Sequence, residues 1–228
     1  SRLVKYDVSV RWLETGSQEK GTPQLSFYMP LKAAPKEFTF DVPFGTTDRE
    51  GVDYDLPGLT FASSGDVAIF SKHTYGFRCY EDNMSLTLLR SGFDPDPYPE
   101  CGLHEIEFAL GFGIEDKEKL INASREFNTP LTVASNYSHG GDMPLNMEGI
   151  KVEGPQVTAV RGGNNKTTIR MYEALGVATE AVVTMPCVVK AAWTTDINGN
   201  RLQSVNHSGN TVRLEVGKNK IITLEIEW

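Results

Sequence analysis

The chain has 228 residues, 39% hydrophobic and 10% aromatic, enough to bury a sizeable core at this length without disulfide staples. Thirty acidic against twenty-two basic residues give a net charge of −8, a surface that repels phosphate backbones and argues against nucleic acid as a partner. No apolar run approaches the ~20 residues of a membrane span, so no membrane partner is expected.

The chain opens with Val4, Tyr6, Val8, Val10 and Trp12 alternating with polar neighbours, the period of a strand with one buried face. Ser1–Leu13 therefore reads as a strand, not as a charged-then-apolar leader, and opening directly on a strand predicts a chain cut from something longer. Leu25, Phe27, Met29 and Leu31 repeat the alternation, followed by Phe38, Phe40 and Val42. Further strands are expected at Val67–Phe70, Tyr75–Tyr80, Met84–Leu89 and His104–Leu110. Between Glu115 and Phe127 the period changes: Leu120, Ala123 and Phe127 recur at helical spacing, with Glu115 and Asp116 expected in the first turn.

The second half predicts strands at Gln156–Val160, Thr167–Tyr172, Glu180–Met185, Val188–Trp193, Thr211–Val216 and Ile221–Trp228. Gly162–Asn165 and Asp196–Asn200 read as hairpin tips. One short helix among many strands, with no βαβ rhythm, predicts an all-β chain of packed antiparallel sheets. The polar, glycine-rich stretch from Asn136 to Pro144 reads as a connection. It places a boundary near residue 150, between a large β-sandwich over 1–148 and a smaller C-terminal β-sandwich over 149–228.

Cys79, Cys101 and Cys187 are sparse and odd in number, which fits small buried side chains in a reducing, cytoplasmic setting better than a secreted disulfide framework. Asn-x-Ser/Thr triplets at Asn83, Asn122, Asn136, Asn165 and Asn206 matter only in a secretory pathway. His73, His104, His139 and His207 show no metal-ligand spacing, and no metal site is expected in this chain. His104 reads as a hydrogen-bonded structural histidine. Trp12, Trp193 and Trp228 fall on the apolar phase of strands, which favours packing over sugar stacking.

The segment Arg90–Glu100 stands apart. Pro95, Pro97 and Pro99 stiffen a loop that leaves the Met84–Leu89 strand and presents Asp94, Asp96 and Glu100. Paired carboxylates can serve glycosidic-bond chemistry at ~5–9 Å separation, but solvated loop charges are the simpler reading. No Gly-x-Ser-x-Gly elbow or dinucleotide-type glycine loop is present, so residue chemistry alone finds no catalytic residues in this chain.

Several segments, in order, resemble the C-terminal β-region of the α-mannosidases of glycoside hydrolase family 38. Phe38–Gly45 is similar to a strand and aromatic-Gly corner of that family. Ala68–Phe77, Leu86–Ser91, Asp94–Asp96, Gly102 and His104–Leu110 follow its Lys-Tyr-Gly-Tyr/Phe, Leu-Ser-Leu-Leu-Arg-Ser, Pro-Asp-Pro and Gly-x-His-x-Phe stretches. Phe127–Leu131, Arg170–Glu173, Ala191–Asp196 and Ile221–Leu224 add to the likeness, while Thr74 is an extra residue and Cys101 departs from the pattern.

The resemblance implies a supersandwich-like, galactose-mutarotase-like β-sandwich, truncated at its N-terminal side and followed by the smaller terminal sandwich. It further implies a retaining, zinc-dependent enzyme whose aspartate nucleophile and zinc lie in an N-terminal catalytic domain. In that picture the present region packs on the catalytic domain, shapes the active site, and meets a mannose-containing glycan or mannosyl-glycoside substrate through Arg90 and Asp94. By itself the chain is then inactive. The alternative is a non-catalytic carbohydrate-binding β-sandwich module.

Overall fold

The computed structural model describes residues 3–135, 137, 140–142 and 148–228. The chain divides into two compact units, Ser1–Thr132 and Val133–Trp228. The first holds β1 (Leu3–Trp12), β2 (Gln24–Pro30), β3 (Phe38–Val42), β4 (Gly45–Arg49), β5 (Val52–Pro57), β6 (Phe61–Ser64) and β7 (Val67–Ser71). It continues with β8 (Gly76–Tyr80), β9 (Asn83–Arg90), β10 (Gly102–Phe112) and α1 (Lys117–Asn128).

These strands form a six-stranded sheet in the order β1-β10-β7-β6-β3-β4 and a four-stranded sheet in the order β2-β9-β8-β5. The pairings are antiparallel. Period-two alternation sends Phe38, Phe40, Ile69 and Phe108 of the larger sheet and Phe77, Met84 and Leu86 of the smaller one into a single core. Phe27 and Phe108 meet across that core with ring centroids 4.7 Å apart, and Phe40 and Phe77 at 6.5 Å. Each fully buried side chain of this size contributes about 2–3 kcal/mol.

The helix starts slightly later than the sequence pattern suggests. Asp116 is its N-cap, accepting from the Lys119 N–H at 3.1 Å, so Glu118 and not Glu115 sits in the first turn. A carboxylate oxygen satisfies an orphan N–H best from just outside the helix, which decides the boundary. Leu120, Ile121, Ser124 and Phe127 form its buried face. Ser124 donates to Thr60 Oγ1 at 2.6 Å, and the Thr60 hydroxyl donates to the Asp41 carboxylate, tying the helix to the edge of β3.

The second unit holds β11 (Lys151–Glu153), β12 (Gln156–Gly163), β13 (Lys166–Tyr172), β14 (Thr179–Thr184) and β15 (Ala191–Thr195). It ends with β16 (Arg201–Ser204), β17 (His207–Ser208), β18 (Thr211–Val216) and β19 (Ile221–Glu227). Sheets β11-β14-β18-β17 and β12-β13-β19-β15-β16 enclose Ile169, Met171, Ala181, Val183, Val212, Leu224 and Ile226. The Gly162–Asn165 tip joins β12 to β13 with Asn164 and Asn165 at positive φ, the two left-handed positions that a tight hairpin turn requires. At the other tip Asp196 accepts from the backbone N–H groups of Asn198 and Asn200, at 2.9 and 2.8 Å. The strand expected at Val188–Trp193 begins instead at Ala191, because Val189 N–H turns to the Gly209 carbonyl rather than to a ladder partner.

Candidate functional site

A cavity of about 430 Å³ opens in the first unit, lined by His73, Tyr75, Thr87, Arg90, Glu100 and His104 among others. The volume is in the range that holds a small polar ligand. Three elements build it: the β7–β8 connection supplies His73 and Tyr75, the end of β9 supplies Thr87 and Arg90, and the proline loop with the start of β10 supplies Glu100 and His104.

The loop is fastened at its base. Ser91 is fully buried; its N–H donates to the Pro23 carbonyl at 3.0 Å and its hydroxyl to the Pro99 carbonyl at 3.3 Å. Trp12 Nε1 donates to the same hydroxyl at 2.6 Å. Gly16 packs against this knot so closely that a Cβ there would lie 2.7 Å from the Ser91 carbonyl oxygen. Beyond the knot, Asp96 Oδ1 accepts the Tyr98 N–H at 2.9 Å, and a ring nitrogen of His104 meets the Glu100 carbonyl at 2.6 Å. His104 thus has the structural hydrogen bond expected of it.

Arg90 is the last residue of β9, paired in register with Gln24 of β2, and its side chain is exposed. Among the described residues it makes no ion pair with Asp94, Asp96 or any other carboxylate, although an Arg with two acidic loop neighbours in sequence suggests one. Asp94 is exposed on the loop and does not line the cavity. Nearby charges are already engaged: Lys72 pairs with Glu107 at 2.6 Å, and this hydrogen bond holds the Glu107 carboxyl below its ordinary range. Ser9 donates to Glu105 at 2.7 Å. Arg90 is left as a positioned, unengaged guanidinium at a polar cavity.

Of the tryptophans expected to pack, Trp12 does so on the first core, whereas Trp228 is 37% exposed. Trp193 lies 3.5 Å beneath the Arg201 guanidinium, and Trp228 Nε1 donates to Thr167 Oγ1 at 3.0 Å. Among the described residues no three His, Cys, Asp or Glu side chains converge to hold a metal, and His139 lies outside the described residues. Cys79 is buried, which pushes its thiol up to about 12, whereas Cys101 is exposed. No helix among the described residues is long and apolar enough to cross a membrane.

Sequence reasoning did not single out His73 or Tyr75 as cavity residues, nor Glu173. The carboxylate of Glu173, 2% exposed, accepts from the N–H groups of Leu175 at 2.6 Å, Gly176 at 2.9 Å and Asn219 at 2.9 Å. A lone Glu after a strand carries no local signal of such a role.

Residues 156–224, from the start of β12 into β19, match the model of the glycosyl hydrolases family 38 C-terminal beta sandwich domain. Over these residues the chain is similar to a family 38 C-terminal β-sandwich domain. An α-mannosidase of Saccharomyces cerevisiae is 30% identical to it over 206 residues, covering 77% of this chain and 19% of the yeast protein. The solved structure of an α-mannosidase from Enterococcus faecalis superposes with a TM-score of 0.76 at 14% identity, over 100% of this chain and 28% of that one. At that identity the likeness shows the fold. The chain thus spans about a fifth of the yeast relative and somewhat over a quarter of the bacterial one.

Proposed function

We propose that this chain is the non-catalytic C-terminal β-region of an α-mannosidase, packed on an N-terminal catalytic domain whose active site it helps to shape. In this reading the whole enzyme hydrolyses α-mannosidic bonds with retention, in the cytoplasm, on a mannose-containing glycan or a mannosyl glycoside. Its zinc and aspartate nucleophile belong to the catalytic domain; the residues described here do not bring together a metal-ligand set, and no step of the reaction is assigned to them.

The observation that carries the reading is Arg90. It stands at a strand end fastened by the Ser91 knot, and its guanidinium has no partner among the described residues. A guanidinium so placed can give two parallel N–H bonds to sugar hydroxyls or to a carboxylate, a geometry that the single ammonium of lysine does not reproduce. Asp94, exposed on the same loop, is the second residue proposed to contact the substrate.

In the full-length parent, Arg90→Lys is expected to lower kcat/KM on an aryl α-mannoside about tenfold, the effect of losing ~1.4 kcal/mol of transition-state contact. Melting of the present chain should be unchanged by the same substitution, since the guanidinium holds no fold contact. Wild-type activity in the variant would refute the assignment.

A further inference from the structure

Arg90 owes its aim to an irregularity in β9. Alternation along this strand sends Met84 and Leu86 to the core, and an unbroken period would send Leu88 and then Arg90 the same way. The pairing with β2 slips by one residue between Leu25 and Ser26. Ser26 lies opposite Thr87 and Leu25 opposite Leu89, which leaves Leu88 as the extra residue of a β-bulge. Leu88 and Leu89 are both buried, the phase reverses, and Arg90 emerges exposed opposite Gln24. It shares that face with Thr87, whose Oγ1 accepts from Gln24 Nε2 at 2.8 Å.

With no ion pair on the guanidinium among the described residues, its place depends on the main chain beneath it. The tethers on that main chain come from one segment, the connection from Trp12 to Gln24. Trp12 Nε1 donates to Ser91 Oγ at 2.6 Å, the Pro23 carbonyl accepts the Ser91 N–H at 3.0 Å, and Gln24 pairs with Arg90. The segment also closes on itself: Ser17 and Gly21 exchange both main-chain hydrogen bonds, at 3.0 and 2.8 Å. A Cβ at Gly16 would lie 2.7 Å from the Ser91 carbonyl oxygen and 3.1 Å from that of Gly92, which leaves no room for a side chain. The Ser91 hydroxyl donates in turn to the Pro99 carbonyl at 3.3 Å. One buried oxygen thus joins β1, the end of β9 and the far end of the proline loop.

We propose that Trp12 and Ser91 are positioning residues: through their shared hydroxyl they hold Arg90 where the bulge at Leu88 has aimed it. The proposal rests on Arg90 contacting the substrate, as proposed above. An error of ~1 Å in the place of a contacting group can lower a rate by on the order of 10²-fold, so such a group needs a rigid support. An ion pair could fix the guanidinium directly, but it would occupy the donors that a two-pronged contact needs. Support from beneath leaves those donors free. It also gives the Trp12 indole N–H a role that packing on the core does not require.

The test is steady-state kinetics of the full-length parent on an aryl α-mannoside, with activity counted per folded molecule. Ser91→Ala deletes one oxygen and leaves the Ser91 N–H bonded to Pro23. Trp12→Phe deletes the indole N–H, keeps a ring on the core, and answers the same question should Ser91→Ala fail to fold. Each single variant is expected to lower kcat about threefold to tenfold with KM little changed, because a transition-state contact is misplaced. In the Arg90→Lys background the same substitutions should cost under about twofold, since residues that act through Arg90 lose their effect once its contact is gone. A loss of equal size in both backgrounds would overturn the proposal, because a role in the fold alone is indifferent to Arg90. Full kcat in both single variants beside an impaired Arg90→Lys also overturns it, and keeps Arg90 as a substrate contact. Wild-type activity in Arg90→Lys removes that contact and the proposal with it.

Discussion

Replacing Glu173 by Gln tests the reasoning where structure and sequence part most sharply. Burial pushes this carboxyl upward, but backbone N–H groups of Asn219, Leu175, Val177 and Gly176 outweigh burial and hold it below its ordinary range. One carboxylate oxygen serves Leu175, and the other serves both Gly176 and Asn219. A glutamine keeps a single acceptor oxygen. In its better orientation it strands one N–H against an NH₂ group and removes charge assistance from the other two. With charge-assisted bonds at roughly 1.5–3 kcal/mol each, and allowing for partial rehydration at this surface loop, the cost is about 3 kcal/mol. For a unit of roughly 100 residues that lowers Tm by about 12–20 °C.

Near-UV circular dichroism of Trp193 and Trp228 during heating reads the C-terminal unit. The sign of the pH dependence follows from the depressed folded pKa: the contribution is fully present above the unfolded value of ~4.3 and is lost as pH falls through the folded value below it. The gap between wild type and Glu173→Gln should therefore hold steady from neutral pH to about pH 5 and narrow under further acidification. A gap below about 1 kcal/mol at neutral pH, or one that widens on acidification, would refute the hydrogen-bond account.

The isolated chain, supplied with zinc, is expected to leave an aryl α-mannoside unhydrolysed and to retain well under one zinc per chain after desalting; turnover that survives further purification would reverse that expectation. The polar, glycine-rich connection predicts that limited proteolysis cuts first between about Asn136 and Pro155, with cuts concentrated inside Val67–Leu110 as the contrary result. Ellman's reagent at pH 8 should label Cys101 rapidly and Cys79 only on unfolding, since the Cys79 thiol is buried and pushed up to about 12.

Much of the architecture was legible because alternation writes burial directly into sequence. β1, β2, β3, β7, β8, β9 and β10 fall where apolar residues recur every second position, and the tips at Gly162–Asn165 and Asp196–Asn200 carry the residues their turns need. β4, β5, β6, β11, β16 and β17 are not among the strands the sequence predicts. Gly45–Arg49 and Arg201–Ser204 show no apolar phase because they are edge strands, held by main-chain bonds to a neighbour rather than by burial of one face. Of the site, Arg90 and the stiff loop could be read locally, since prolines restrict φ wherever they stand.

What the amino-acid order determined by itself was local: period, turn chemistry, the all-β class and the family likeness. Each depends on residues a few positions apart. Only the tertiary structure decided that β1 pairs with β10 and β2 with β9, which joins segments some sixty to a hundred residues apart. Those pairings bring Trp12 to Ser91 and Gln24 to Thr87, and the pairing of β13 with β19 brings Asn219 to the carboxylate of Glu173. Such contacts follow from how two sheets close over one core, a collective burial that no short window of sequence encodes.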